Sequence, residues 1–402
     1  MKRKMVLPGV VVVVAVALMV GCLPAAGPGA QSGPVKIGAL TSLSGPFTAW
    51  GVKVRDGMKF AAQELNQAGG VLGRQIEIVE RDDKNSPDEG MTALRGMVEV
   101  DGIVAEGGMI SSGIGLATAG VAEDLKVANF MTMSGSHTIL KKSTRYSFRS
   151  CLVAAPMSMG PLTAFIKDKG YKKIGAIIAD YEWGHATEDA MLKELKPLPG
   201  VTLQIETAPV GEQDFTPYLR KLQAMSPEIL VLLGHPPGSF TAGKQAIELG
   251  VGQFIAGAWS PPEVWIERVG PGVAGKVIEF SCVDFADATY QKLAAQYVST
   301  YKNFFDHNSF SGYTIVKAVA DAVKKTGSTD RQGVAKAIHE GSFVQPGYAY
   351  PLSYTEWGEL KQATPIVYTI EQGDPGPINP GATWRPKVVS KSPVLTPYVP
   401  AD

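Results

Sequence analysis

Gly102-Ile103-Val104-Ala105-Glu106-Gly107-Gly108-Met109-Ile110-Ser111-Ser112-Gly113 opens the stretch that decides the fold, which continues to Ser136. It reads as an apolar strand over 102–106 followed by a turn over 107–113. A helical run through Leu116, Val121 and Leu125 and a strand over 127–130 come next. That strand ends in a hydroxyl-rich turn, Thr132-Met133-Ser134-Gly135-Ser136. The expectation is two strands that carry two serine- and glycine-bearing turns to the starts of two helices. Glycine lets a ligand approach the backbone, and a helix start offers unpaired N–H groups at its positive end. Such a place holds a carboxylate without lysine or arginine. Plain N-capping by Ser112 and Ser136 is the competing reading.

Working outward, the alternation of short apolar strands with amphipathic helices extends in both directions. On the N-terminal side a strand over 35–40 leads to a helix with Val54, Met58, Ala61 and Leu65 on one face. Gly69-Gly70 stops it, a strand over 76–79 follows, and Ser86-Pro87-Asp88-Glu89 forms a capping box ahead of the next helix. Beyond Cys151 the alternation restarts with strands over 174–179, 201–205, 229–233, 254–256 and 277–282, with helices between them. Long helices over 290–304, 312–325 and 331–338 precede a β- and turn-rich end. The pattern implies an α/β protein of two doubly wound parallel-sheet halves.

The chain has 402 residues, enough for two such halves with real cores. Its 38 basic residues balance 38 acidic ones without a clustered basic face, which excludes a nucleic-acid footprint. Lys2-Arg3-Lys4 followed by an apolar run to Val20 reads as a signal peptide over 1–21, too short for a membrane span. Leu18-Met19-Val20-Gly21-Cys22 resembles a lipobox, with Cys22 lipidated and a Pro/Gly/Ala/Ser tether over 22–34. An unlipidated signal peptide cut nearby is the alternative. Removal of 1–21 leaves 35 basic against 38 acidic residues.

The order of motifs resembles the type I periplasmic binding proteins of the branched-chain amino-acid (Leu/Ile/Val-binding-like) ABC transporter family. Ile37-Gly38-Ala39-Leu40-Thr41-Ser42-Leu43-Ser44-Gly45-Pro46 with Trp50-Gly51, then Ala62-Gln63-Glu64-Leu65-Asn66 with Ala68-Gly69-Gly70-Val71-Leu72-Gly73-Arg74, carry the likeness. So do Asp82-Asp83, Ser111-Ser112-Gly113, Tyr146-Ser147-Phe148-Arg149, Tyr181-Glu182-Trp183-Gly184, Asp214-Phe215-Thr216 and Gly312-Tyr313. The resemblance implies two lobes on a three-crossover hinge, which close on a ligand. Lobe 1 is expected over 35–150 plus 284–342, and lobe 2 over 151–283 plus 343–402. By the same resemblance Ser111, Ser112, Ser134, Gly135 and Ser136 hold the ligand's carboxylate. Trp50, Tyr181, Trp183, His235 and Trp259 supply ring faces or neighbouring contacts, with core packing as the alternative for each tryptophan. Amino-acid binders carry an acid near Trp259 for the ligand's ammonium, whereas Trp259-Ser260 offers none and Glu263 falls on the next helix, which leaves Glu182 or Asp180 either as substitutes or as solvated charges at a strand end. A buried ammonium without a counter-charge is costly, so a flat or aromatic carboxylate, or an amide, competes with a standard amino acid. Cys151 and Cys282 fall at two crossovers, where a hinge disulfide competes with two buried thiols.

Gly238-Ser239-Phe240-Thr241-Ala242-Gly243-Lys244 has phosphate-loop spacing, but Gln245 stands where a hydroxyl is needed. Thr118 breaks a dinucleotide fingerprint begun by Gly113-Ile114-Gly115, the histidines show no metal spacing, and no nucleophile elbow occurs. The reading is an extracytoplasmic, lipid-anchored, monomeric binding protein without cofactor, serving an ABC permease. A ligand sensor on the same fold and an exported enzyme are the alternatives.

Overall fold

The computed structural model describes Met1 and residues 33–233, 238–257 and 259–401. The expected signal peptide, Cys22 and all but the end of the tether lie outside the described residues, as does His235. Everything below concerns the compact unit Pro34–Asp402.

β1 (Val35–Thr41), α1 (Thr48–Gln67), β2 (Ile76–Asp82), α2 (Pro87–Gly96), β3 (Ala105–Met109), α3 (Ser112–Leu125), β4 (Ala128–Met131) and β5 (Ser147–Arg149) form the first half. Its sheet is parallel, in the order β2-β1-β3-β4-β5. The scheme then repeats with α4 (Ala155–Lys169), β6 (Lys173–Ala179), α5 (Glu182–Glu194), β7 (Thr202–Ala208), α6 (Thr216–Gln223), β8 (Ile229–Leu233), α7 (Gly238–Leu249), β9 (Phe254–Gly257), α8 (Pro262–Val269) and β10 (Val277–Ser281). The repeat orders its strands β7-β6-β8-β9-β10, the first sheet's arrangement over again. Next come α9 (Ala288–Tyr301), α10 (His307–Thr326), α11 (Arg331–Glu340) and the hairpin β11 (Ser342–Phe343) with β12 (Leu352–Ser353). Finally β13 (Ile366–Gln372), antiparallel to β10, and β14 (Trp384–Lys391), antiparallel to β13, extend the second sheet. The fold is the two-lobed, doubly wound α/β architecture that the alternation implied.

Local chemistry sets the elements. Val54, Met58, Ala61 and Leu65 are buried along one face of α1, which lies between its sheet and α10. Ser86 caps α2, its Oγ accepting the Glu89 amide, with Pro87 at the first helical position. Asp287, Asp306 and Asp330 cap α9, α10 and α11 in the same way.

Three expectations change. The 107–113 turn is shorter than its glycines suggested, because β3 runs through Gly107 and Gly108 to Met109. A Cβ on Gly107 would sit 2.9 Å from Ile315 of α10, and Gly108 has φ +126° at a register shift against β4. These glycines serve packing and a bulge, not a turn. The Thr132–Ser136 turn leads into irregular chain as far as β5, so only one of the two turns opens a helix directly. Beyond Ser342, where the third crossing is expected, the chain still packs against the first half. Tyr354 packs on Phe148 at 4.9 Å between ring centroids, the Arg149 amide donates to Gly358 O at 3.0 Å, and Glu359 pairs with Arg149 at 3.4 Å. Cys151 and Cys282, at the first two crossings, are joined as a disulfide with Cα atoms 5.3 Å apart.

Candidate ligand-binding cleft

In a doubly wound sheet, ligands sit beyond the carboxyl ends of the strands where strand order reverses. Here the reversals lie between β1 and β3 in one half and between β6 and β8 in the other. The segments leaving those strands face each other across a cavity of about 40 Å³. Phe47 and Trp50 follow β1, Ile110 follows β3, Met133 follows β4 and Leu152 follows β5. Tyr181 and Trp183 follow β6, Ser239 and Phe240 follow β8, and Ser260 follows β9. Five walls are aromatic, three are aliphatic or thioether, and two are serine hydroxyls.

Ring contacts seal the halves together. Phe47 meets Tyr181 at 6.2 Å between centroids and Trp50 meets Phe240 at 5.9 Å. Phe240 stands edge-on to Trp265 at 4.8 Å, which fixes its plane from behind. Trp265 in turn donates its indole N–H to the buried Glu279 at 2.7 Å, and the Ser260 amide donates to the same carboxylate at 3.1 Å. Burial pushes the Glu279 carboxyl up to about 8, against the pull of those donors.

Polar contacts close both ends. At the rim, Glu182 at the start of α5 accepts from Ser136 Oγ at 2.7 Å and Thr138 Oγ1 at 2.6 Å, across the gap. Burial raises that carboxyl, but the Thr138 and Ser136 hydroxyls win and hold it below the ordinary range. At the inner end, Lys53 of α1 pairs with Glu263 of α8, and both are buried.

Of the residues expected from sequence, Trp50, Tyr181 and Trp183 line the cavity. The serine turns stand behind its wall and present Ile110 and Met133 instead. Their polar groups engage each other: Ser112 Oγ accepts the Gly135 and Ser136 amides at 3.1 and 3.2 Å, and Ser134 Oγ donates to Ser111 O at 3.0 Å. Buried Arg149 ties the Ser134 and Ser136 carbonyls together from below. In this structure the polar groups of the two turns thus engage one another, apart from Ser136 Oγ, which donates to Glu182. Trp259 is buried beside the wall residue Ser260, with φ +64°, and its indole N–H has no hydrogen-bond partner among the described residues. Asp180 faces His185 at 2.9 Å on the surface, away from the cavity. Phe47, Ile110, Met133, Leu152, Ser239, Phe240 and Ser260 were not singled out beforehand. For Ser239 and Phe240 a signal existed: they follow β8 as Trp50 follows β1.

Comparison with known proteins agrees with this geometry. The periplasmic binding protein family matches residues 34–373. The chain is 26% identical over 352 residues to Leu/Ile/Val-binding protein homolog 1 of Brucella abortus, covering 86% of this chain and 92% of that one. Its fold is similar to the branched-chain amino-acid transporter substrate-binding protein of Streptococcus pneumoniae, solved with isoleucine (TM-score 0.75, 19% identity, 90% of this chain and 99% of that one). It is similar also to an R. palustris ABC-transporter solute-binding protein solved with 4-hydroxybenzoate (TM-score 0.78, 17% identity, 90% and 98%). The chain belongs to the periplasmic binding protein family, in its type I, Leu/Ile/Val-binding-like branch.

Proposed function

We propose that this protein is the extracytoplasmic binding component of an ABC importer and captures a small flat carboxylate or amide that lacks a free ammonium. The observation that carries this reading is the cavity wall itself, with five aromatic rings, three other apolar side chains, two hydroxyls and no charged group. Such a wall suits a ring face and one neutral polar edge. Of the acids around the cleft, Glu263 bonds the protein's own Lys53, Glu279 is engaged by Trp265 and the Ser260 amide, and Glu182 at the rim accepts the Ser136 and Thr138 hydroxyls, so none lines the wall as a partner for an ammonium. Relatives of the same fold bind isoleucine in one case and 4-hydroxybenzoate in another, and the wall chemistry favours the second class.

Hinge motion between a lobe over 35–150 with 284–360 and a lobe over 151–283 with 361–402 admits the ligand. A lipid at Cys22 and the tether over 22–34 hold the monomer near its permease.

A thermal-shift panel tests this. Benzoate, 4-hydroxybenzoate or benzamide raises the melting temperature in a concentration-dependent way, by roughly 2.7 kcal/mol of stabilisation at a hundred times Kd. Isoleucine and leucine leave it unchanged. Stabilisation by the branched amino acids alone overturns the reading.

A further inference from the structure

Trp50 and Lys53 stand three residues apart on α1 and so share a face, and Ser260 lies just ahead of α8, three residues before Glu263. Each half thus carries a charged residue close in sequence to a wall residue. Lys53 Nζ bonds Glu263 across the gap and lies 3.8 Å from Asp306 Oδ2 on its own side. Asp306 is fixed as the cap of α10: Oδ1 accepts the Ser309 amide at 2.9 Å and Ser309 Oγ at 2.7 Å, and Oδ2 accepts from Asn308 at 3.0 Å. The three side chains are 8%, 5% and 0% exposed.

Among the described residues neither carboxylate has an ion-pair partner other than Lys53, and Glu263 Oε2 is buried without a hydrogen-bond partner. The remaining titratable groups facing the cluster are Glu267 on α8, His307 on α10, Tyr290 and Tyr297 on α9, Tyr368 on β13 and, through Tyr368, Glu279 on β10. None adds positive charge near neutral pH, since burial holds the His307 imidazole down to about 4. One ammonium thus faces two carboxylates away from water.

The two carboxylates belong to different halves. When the halves part, Lys53 stays beside Asp306, and Glu263 leaves with α8 into solvent. Closing returns a second carboxylate to a site whose one positive charge is already matched. A buried unmatched charge is expensive, and a proton on Glu263 removes it. We propose that closure of the cleft is coupled to proton uptake at Glu263, so that ligand binding weakens as pH rises. The closed form keeps a proton that the open form releases, which favours closure at low pH and opening at high pH. Burial pushes the Glu263 carboxyl up to about 8 in the closed form, so the window runs from the ordinary carboxylate range to that value.

The coupling does not depend on which ligand fills the cavity, and its test separates the two questions. Calorimetry with 4-hydroxybenzoate in buffers of different ionisation enthalpy counts protons taken up, and affinity is followed from about pH 6 to about pH 9. The wild type takes up a fraction approaching one proton near neutrality and loses up to about tenfold in affinity per pH unit until about pH 8, above which the loss levels off. Glu263→Gln abolishes both and binds more tightly than the wild type throughout that range. Lys53→Met removes the one cation, so its uptake persists to higher pH. Small-angle scattering of the ligand-free protein over the same range gives an independent readout: the wild type expands with pH and Glu263→Gln does not. If 4-hydroxybenzoate fails to bind, the ligand class is wrong and scattering alone decides the coupling. A flat pH profile in both measurements, or proton uptake and expansion unchanged in Glu263→Gln, overturns it.

Discussion

Gly135→Ala should act as a wedge. An added Cβ at Gly135 would stand 2.1 Å from Trp183 Cζ3 and 2.6 Å from Leu152 Cδ2, where carbon atoms pack at roughly 3.5–4.0 Å. Gly135 cannot retreat easily: its amide donates to Ser112 Oγ at 3.1 Å and its carbonyl accepts from the Ala155 amide at 2.9 Å. Trp183 is only 5% exposed and is held by the other half of the molecule. Its residue is not in left-handed backbone, so alanine brings no conformational penalty. Overpacking of this kind costs about 1–3 kcal/mol, and the collision with Trp183 exists only when the halves meet. Ligand affinity should therefore fall by about 5-fold to about 150-fold, with the melting temperature of the ligand-free protein little changed. Titration by tryptophan fluorescence, using whichever of benzoate, 4-hydroxybenzoate or isoleucine stabilises the wild type, reads the affinity. Unchanged affinity would refute the apposition of Gly135 and Trp183 in the bound state. An equal loss of ligand-free stability would refute its confinement to the closed form.

Arg149→Met should destabilise the fold by about 3–5 kcal/mol in urea, because it strands Glu359 as a buried charge and releases the Ser134 and Ser136 carbonyls. The joint change Cys151→Ser with Cys282→Ser should cost about 2–5 kcal/mol, since the bridge joins residues 131 apart; reductant should lower the wild-type denaturation midpoint and leave the double variant unmoved. His307 is held down to about 4 by burial, below the imidazole's ordinary value. The unfolded chain therefore binds the proton more readily, so this contribution is complete above about pH 6.5 and is lost as pH falls toward about 4. His307→Asn should flatten that acid limb of the stability curve, measured by chemical denaturation at each pH.

What the sequence disclosed follows from the range over which each signal acts. Apolar runs and caps are local, so the strands on either side of Ser112 and the Ser86 cap could be read directly. Trp50, Tyr181 and Trp183 were also legible, because each stands a few residues past an apolar strand, where a doubly wound sheet places ligands. The same logic covers Phe240 after β8, although the phosphate-loop spacing of Gly238 and Lys244 around it points to a different chemistry. Gly107 and Gly108 were misread because a glycine records only that a side chain is excluded, not whether a turn or an Ile315 in another helix excludes it. Ser112 stands where the resemblance places a ligand contact, but nothing local shows that its Oγ also accepts the Gly135 and Ser136 amides, from a turn 23 and 24 residues away. Lys53 and Glu263 lie beyond any local pattern, 210 residues apart on opposite sides of the cleft. Each looks like an ordinary helix charge until the halves are brought together. In the proposed hinge motion, contacts of that kind form across the moving boundary, so they need not stabilise either lobe alone. There they would set the balance between open and closed, and hence how much intrinsic ligand affinity survives as measured affinity.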